Sequence, residues 1–436
     1  MNIIIAGAGK VGFHLAKTLS IGHNVTIIDK NEGALQRIQE SLDILPLRGD
    51  LEDSSTYEYF KDQDIDLFIA VTNDDNVNLI ATMLADSVLK IKKTFVRLQK
   101  HLKDVFIIKE KLGIDKVVFP VRLASKSVLS LLNYPKANNI KLFKYTKHKL
   151  VSIRVDTTFK PQEIISDDFL KVGIERDKEF FIPQKETLIQ PNDLVYFFGL
   201  EDAIRDVCDL LEPMKIEIQK CVVYGANELG ISIAKSLIES SKQVKVIEKD
   251  IDLCYKADNE LAGKADVINA KYDSHEIYEE ENLYNADMFI ATSSNDEFNI
   301  IKCLEAKEKG IKKIVAINND MEYYNLMHSL GIIVVRGPKM SAYNKIMEEI
   351  SSNKVVVQKW FCGSKAVIFM RKVFQDSKLI GKRIRPLTLQ DIKLAYIRQE
   401  KLHRIQNEIT LQENDIVIAV ATLQNSAKVK QWIYGF

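Results

Sequence analysis

Residues 1–29 read MNIIIAGAGKVGFHLAKTLSIGHNVTIID. The apolar run Ile3, Ile4, Ile5 reads as a buried strand, VGFHLAKTLS as an amphipathic helix and NVTIID as a second strand. Between the first two lies GAGKVG. Gly7 permits a tight turn after the strand, Gly9 leaves the main chain open to a pyrophosphate, and Gly12 lets the helix pack close to the sheet. The helix start adds N–H groups and a partial positive charge. Asp29 ends the second strand at the distance expected of a carboxylate that binds a ribose diol. It would repel the 2′-phosphate of NADP and so favours NAD(H), although ATP, ADP and AMP carry the same diol. Two plainer readings compete: a glycine-rich turn with no ligand, and Asp29 as the cap of the helix that starts at NEGAL.

Outward from this stretch the alternation continues, with EGALQRIQESL helical, IDLFIAVT a strand, VNLIATMLADSV helical and KTFVRL a strand. Short, almost wholly apolar strands separated by helices predict a parallel sheet covered on both faces, a Rossmann-like doubly wound α/β domain. In the usual order of such a sheet the first strand lies beside LFIAV. Thr72 and Asn73, at the carboxyl end of LFIAV, then line a cleft opposite the glycine turn. Asn73 or Asp74 reads equally as a cap of the next helix. Arg97 ends the following strand on the same rim, where a guanidinium reaches a phosphate or a neighbouring unit, or else is a solvated surface charge.

The chain repeats itself at an offset of about 220 residues. Gly7, Gly12 and Asp29 correspond to Gly225, Gly230 and Glu248, and LFIAVTNDDNVNLI (67–80) to MFIATSSNDEFNII (288–301). The repeat extends beyond the nucleotide-type unit, because setting Arg176 on Arg398 also sets Asp193 on Asp415. Around these residues VSIRV, KVGIE, FFIP and LVYFFG, and later AVIFMRKVF, LAYIRQ and DIVIAVA, read as closely spaced strands joined by turn residues. They predict a small α+β module after each doubly wound domain. The expected division is 1–135, 140–215, 218–350 and 355–436, with links at LNYPKANN (132–139), EPMKIEIQ (212–219) and SSNK (351–354).

The second turn, GANELG, places Asn227 where the first has Gly9, and a side chain there obstructs a pyrophosphate. Ser293 and Ser294 take the places of Thr72 and Asn73, Asn318 that of Arg97, and Glu248 keeps the ribose-type carboxylate. The second site therefore binds nucleotide weakly, binds a different one, or serves as scaffold.

Bulk properties exclude other classes. A formal net charge of +1 on 436 residues argues against nucleic-acid binding. Met1 runs straight into the first strand with no basic leader, which reads as the absence of an export signal, and no apolar stretch approaches the roughly 20 residues of a membrane span. The cysteines, Cys208, Cys221, Cys254, Cys303 and Cys362, are scattered singly and read as packed thiols in a reducing cytosol. No H-x-x-x-H pair, G-x-S-x-G elbow or Walker spacing occurs, and no substrate domain follows the first unit, so neither a catalytic residue nor a metal site is expected. Tandem nucleotide domains without a reaction centre suggest sensing.

GAGKVGFHLAKTL, VTIID, RGDLED, LFIAVTNDDNVNLIA, TFVRL, GIDKVVFP and the module ending PNDLVYFFG closely resemble the TrkA family of potassium-uptake regulators, over nearly the whole chain and including the duplication. The resemblance implies two copies of an RCK (regulator of potassium conductance) unit. It also implies a cytoplasmic subunit peripheral to the inner face of the cell membrane, which assembles as a homotetrameric ring and gates a TrkH-type potassium transporter in response to NAD(H) and to ATP or ADP. Carried onto this chain, the nucleotide contacts fall on Gly7, Ala8, Gly9, Lys10, Val11, Gly12, Asp29, Thr72, Asn73 and Arg97, and in the second half on Gly225, Ala226, Asn227, Glu228, Leu229 and Glu248. An NAD-dependent oxidoreductase and a regulator of potassium or proton efflux are the alternatives.

Overall fold

Ile3, Ile4, Ile5 and Ala6 are each at most 1% exposed in the strand Asn2–Ala6, as an apolar run without polar alternation requires: both of its faces are covered. The computed structural model that shows this describes residues 1–99, 105–134, 136–212, 217–270, 276–351 and 356–435. The chain divides into two units, one of Met1–Lys126, Asn227–Ile233 and Arg336–Glu349, the other of Ser127–Ala226, Ala234–Val335 and Ile350–Phe436.

In the first unit, Asn2–Ala6 belongs to a parallel sheet whose strands among the described residues lie in the order Leu45–Arg48, Asn24–Asp29, Asn2–Ala6, Leu67–Ala70, Thr94–Arg97, Lys116–Val118. The expected neighbour is found, with Ile3 opposite Leu67 and Ala6 opposite Ala70. The order of strands reverses between these two, which opens a crevice at their carboxyl ends. The helix Lys10–Leu19 covers the sheet with Val11, Leu15, Ala16 and Leu19, residues spaced to share one helical face. The helix Asp75–Val88 does so with Asn78, Ala81, Thr82 and Ala85.

The second unit holds a parallel sheet of the same order: Asp266–Asn269, Gln243–Glu248, Lys220–Tyr224, Met288–Ala291, Lys313–Asn318, Ile333–Arg336. It also holds two antiparallel sheets. One is ordered Glu179–Phe181, Phe169–Arg176, Leu194–Gly199, Lys149–Arg154, Ala137–Leu142, and the other Val356–Phe361, Ala366–Lys372, Ile416–Thr422, Ile392–Arg398, Lys401–Arg404. The helices Glu201–Leu211 and Ser426–Gly435 pack on these two sheets respectively. The expected class is therefore observed: Rossmann-like parallel sheets, each followed in sequence by a small α+β module. The two antiparallel sheets share one apolar core, where Tyr196, Phe198, Phe361, Ile368 and Ile418 meet.

The reading of 132–139 as a link misses part of a strand, because Ala137–Leu142 pairs antiparallel with Lys149–Arg154 and buries Ala137. Its Asn-rich composition suits an edge position, where the outer side of the strand needs no ladder partner. Residues 213–216 and 352–354 of the other two links lie outside the described residues. Among the described residues no helix is long and apolar enough to cross a membrane.

The paired residues of the repeat turn out to be one device used twice. Arg176 holds Asp193 through two hydrogen bonds of 2.8 Å, and Arg398 holds Asp415 through bonds of 2.9 and 2.7 Å. Each aspartate side chain is fully buried and also accepts the main-chain N–H of the residue three positions before it, Gln190 or Gln412. Each arginine reaches one further carbonyl, of Leu188 or Thr410. A fork that fixes a carboxylate in two-point geometry ties the turn before the central strand to the neighbouring strand. Removing the arginine leaves a fully buried carboxylate without its counterion, so Arg176→Ala and Arg398→Ala should each lose about 3–5 kcal/mol of stability. Chemical denaturation followed by circular dichroism checks this.

Candidate functional site

The first turn is built around two close approaches. Gly7 sits at φ +113°, a conformation that disfavours any side chain, and its N–H donates to Ile28 O at 2.8 Å. Gly12 lies so close beneath it that an added Cβ would stand 1.9 Å from Gly7 O. The helix start is thereby pressed against the turn. Gly9 differs from both. Its backbone is extended, it precedes the helix Lys10–Leu19 without a side-chain cap, and a Cβ built on it meets nothing within 4 Å. The first amides of a helix have no intrahelical partner, and at this turn no side chain of the cap residue takes one up. Ala8 and Val11 are buried, which confines any contact from them to the main chain, while the side chain of Lys10 is exposed.

Asp29 braces the turn. Its Oδ2 accepts the Ala8 N–H at 2.6 Å and its Oδ1 accepts the Asn31 N–H at 2.8 Å. The helix cap proposed for Asp29 is instead Asn31, whose Oδ1 accepts the Ala34 N–H. On the opposite side of the crevice Asp74 caps the helix Asp75–Val88, accepting from Asn76 and Val77, and Asn73 does not. The Asn73 side chain turns to Arg97, whose Nη1 donates to Asn73 Oδ1 and Thr72 O, both at 3.2 Å. Arg97 is no solvated surface charge. It is 4% exposed, its Nε has no hydrogen-bond partner, and burial pulls its pKa down against the opposing charge of Asp75.

One residue escaped the sequence reading. Asn78, fully buried, accepts from Thr72 N at 2.8 Å and donates to Thr72 O and Arg97 O, so it pins the ends of two strands at the cleft. Its signal was present in the repeat: a polar residue on an otherwise apolar helical face, matched by Asn299 in the second copy. Asn299 makes the same bonds, accepting from Ser293 N and donating to Ser293 O and Ile317 O. That equivalence corrects the sequence alignment by one position. Phe68 pairs with Thr94, and its counterpart Phe289 pairs with Ile314, so the residue in the place of Arg97 is Ile317, not Asn318. Ile317 is 1% exposed, and the second rim has an apolar side chain where the first has a guanidinium.

The second turn also differs at its core. Gly225 repeats the left-handed conformation at φ +111°. Asn227 Oδ1 accepts the Gly230 N–H at 2.9 Å, so a side chain of the turn itself takes up an amide at the start of the helix Glu228–Glu239. Leu229 is buried and Glu228 half-buried. Glu248 is 8% exposed; its Oε2 accepts the Ala226 N–H and its Oε1 the N–H groups of Lys249 and Asp250. The longer side chain braces its turn as Asp29 does, but from a buried position. All five cysteines are buried, and burial pushes the Cys208 and Cys221 thiols up to about 12, which suits packed groups.

Comparison with known proteins places this geometry. A family model described as the TrkA-N domain matches residues 3–120 and again 221–338, together more than half of the chain, and one described as the TrkA-C domain matches 162–212. The Trk system potassium uptake protein TrkA homolog of Archaeoglobus fulgidus is 26% identical over 441 residues, covering 99% of each chain. Among solved structures, the GsuK RCK domain superposes with a TM-score of 0.61 at 17% identity, covering 100% of this chain and 95% of that one. The GsuK channel bound to NAD gives 0.61 at 16%, covering 100% and 79%.

Gly12→Ala drives a methyl group into Gly7 O and should cost about 3 kcal/mol, as overpacking against main chain that cannot retreat does. Gly9→Ala, with open space around its Cβ, should leave stability within about 1 kcal/mol, the range of glycine-to-alanine changes in compatible conformations. Thermal unfolding of the two variants side by side checks the contrast.

Proposed function

Because this chain belongs to the TrkA-N domain family, we propose that it is a nucleotide-sensing regulatory subunit of a potassium-uptake system, that NAD(H) binds at the first turn, and that occupancy is read out as movement and not consumed. One observation carries this reading: the uncapped helix start at Gly9 faces open space, and across the crevice stands a buried guanidinium, Arg97, with an Nε that lacks a partner. A diphosphate offers negative oxygens both to the start of the helix and to the cation. Ala8, Gly9, Lys10 and Val11 would cradle it through the main chain, Thr72 and Asn73 would border the cleft, and the outer side of the Asp29 carboxylate would receive the ribose diol. ATP or ADP offers the same diol and phosphates and is expected to compete.

The chain is read here as two tandem RCK-type units, 1–135 with 140–215 and 218–350 with 355–436. They form a homotetrameric ring on the inner face of the cell membrane against a TrkH-type potassium transporter. Gating needs only that one arrangement of the ring bind nucleotide better than the other, since equal affinity shifts nothing. The relative named for the Trk potassium uptake system and the fold shared with the GsuK RCK domain support this assignment. The second turn is proposed to have left dinucleotide binding, because Asn227 caps its own helix and Ile317 replaces the rim cation.

Isothermal titration of the full chain with NADH should saturate at one equivalent per chain, and Gly9→Asn should weaken binding at least ~10-fold by copying the second turn. Undiminished affinity in that variant, or two equal sites per chain, contradicts the assignment. Steady oxidation of NADH with a small substrate would favour the oxidoreductase alternative, and copurification with an efflux protein would favour the efflux regulator.

A further inference from the structure

Glu175 lies at the end of the strand Phe169–Arg176 and is 9% exposed. Three groups from two other parts of the second unit converge on its carboxylate. His328 Nε2, on the short helix Tyr324–Ser329, is 3.1 Å from Oε2. The Cys362 thiol donates to the same oxygen at 2.9 Å, and Lys365 Nζ lies 3.4 Å from Oε1 while donating to Lys178 O. Burial alone would push the Glu175 carboxyl up. The hydrogen bonds from His328 and Cys362, with the charges of His328 and Lys365, outweigh it and hold the carboxyl down at about 2. Burial and the neighbouring carboxylate keep the Cys362 thiol protonated, and burial does the same for the Tyr196 hydroxyl that faces it. Tyr324 stacks on the His328 ring at 6.0 Å.

The turn that carries Cys362 is shaped to this place. Cys362, Gly363 and Ser364 all have positive φ, at 50°, 59° and 67°, and a Cβ on Gly363 would come within 2.5 Å of Asn325 Oδ1. Two left-handed non-glycine residues in succession with a glycine cost free energy that surrounding contacts must offset. At its other end, the helix Tyr324–Ser329 is joined, through the single 3-10 turn Met321–Tyr323, to the carboxyl-end rim of the second parallel sheet, where the strand Lys313–Asn318 ends. There Asn319 donates its main-chain N–H to Asp296 at 2.9 Å and its side-chain amide to Asp296 and Ser293 O.

We propose that the helix Tyr324–Ser329 is a lever, fixed at one end to the rim of the second cleft and latched at the other to both antiparallel sheets through Glu175, so that a displacement of that rim reaches both sheets through one carboxylate. The second cleft then contributes to the response of the chain as a mechanical element, whatever binds at the first turn. The lever gives a reason for retaining the second doubly wound domain after its turn has closed.

Hydrogen exchange on the full chain tests the lever by a double-mutant cycle. Asp296→Asn weakens the hold on Asn319. In the otherwise native chain it should accelerate exchange roughly five-fold or more in residues 169–176 and in residues 362–366 together, and by less than about two-fold in a Glu175→Gln background. His328→Gln, at a less buried position, breaks the same latch from its other side and serves if Glu175→Gln does not fold. A pH series adds a readout that a merely structural contact would not move. A carboxylate held below its ordinary value of 4.5 stabilises fully above that pH and loses its contribution as pH falls toward about 2. The two segments should therefore open together over that interval in the native chain, and the step should vanish in Glu175→Gln. No response of the two segments to Asp296→Asn, an equal response in both backgrounds, acceleration that extends to the strand Asn2–Ala6, or an acid step that persists without the carboxylate would each overturn the proposal.

Discussion

The contact between Gly12 and the carbonyl of Gly7 sets the position of everything else in the first cleft. It lets the helix Lys10–Leu19 begin directly under the turn, and only the lack of a side chain at Gly12 permits it. Because the helix start is pressed there, its first turn stands at the carboxyl ends of the strands, where the reversal of strand order opens a crevice. Asp29 fixes the turn from behind through Ala8 N, and Asn78 fixes the facing rim by binding the ends of two strands at once. Both sides of the cleft are thus braced by hydrogen bonds within the chain, the kind of preorganisation that lowers the ordering cost of the binding proposed.

The duplicated half keeps this skeleton and changes its surface. Gly225, Glu248 and Asn299 repeat the turn, the brace and the pin with the same main-chain partners. What differs is chemistry: a side-chain cap on the helix and an isoleucine in place of an arginine. The scaffold is preserved while the rim cation and the uncapped helix start are not. The repeated Arg–Asp forks show the same preservation in the small modules.

Much of this was legible in the sequence because it follows from periodicity and from glycine. The apolar runs gave the parallel sheets, the change of spacing after GAGKVG gave the helix, and the repeat located Arg176–Asp193 and Arg398–Asp415 before any partner was visible. What stayed hidden depended on register and on side-chain direction. A one-residue slip in aligning TFVRL with IVAIN hid Ile317, since both strands end in polar residues and only the pairing of Phe289 with Ile314 distinguishes them. The burial of Arg97 was equally out of reach, because a strand-end arginine reads the same whether it points to solvent or folds back on Asn73. The convergence on Glu175 joins residues more than 150 positions apart, and no local pattern announces it.

The central claim is that the first turn, and not its duplicate, receives a dinucleotide. Hydrogen exchange of the full chain with and without saturating NADH tests it most directly. The amides of residues 8–13 should become protected and those of residues 226–231 should not; protection of the second turn alone, or of neither, would contradict the claim.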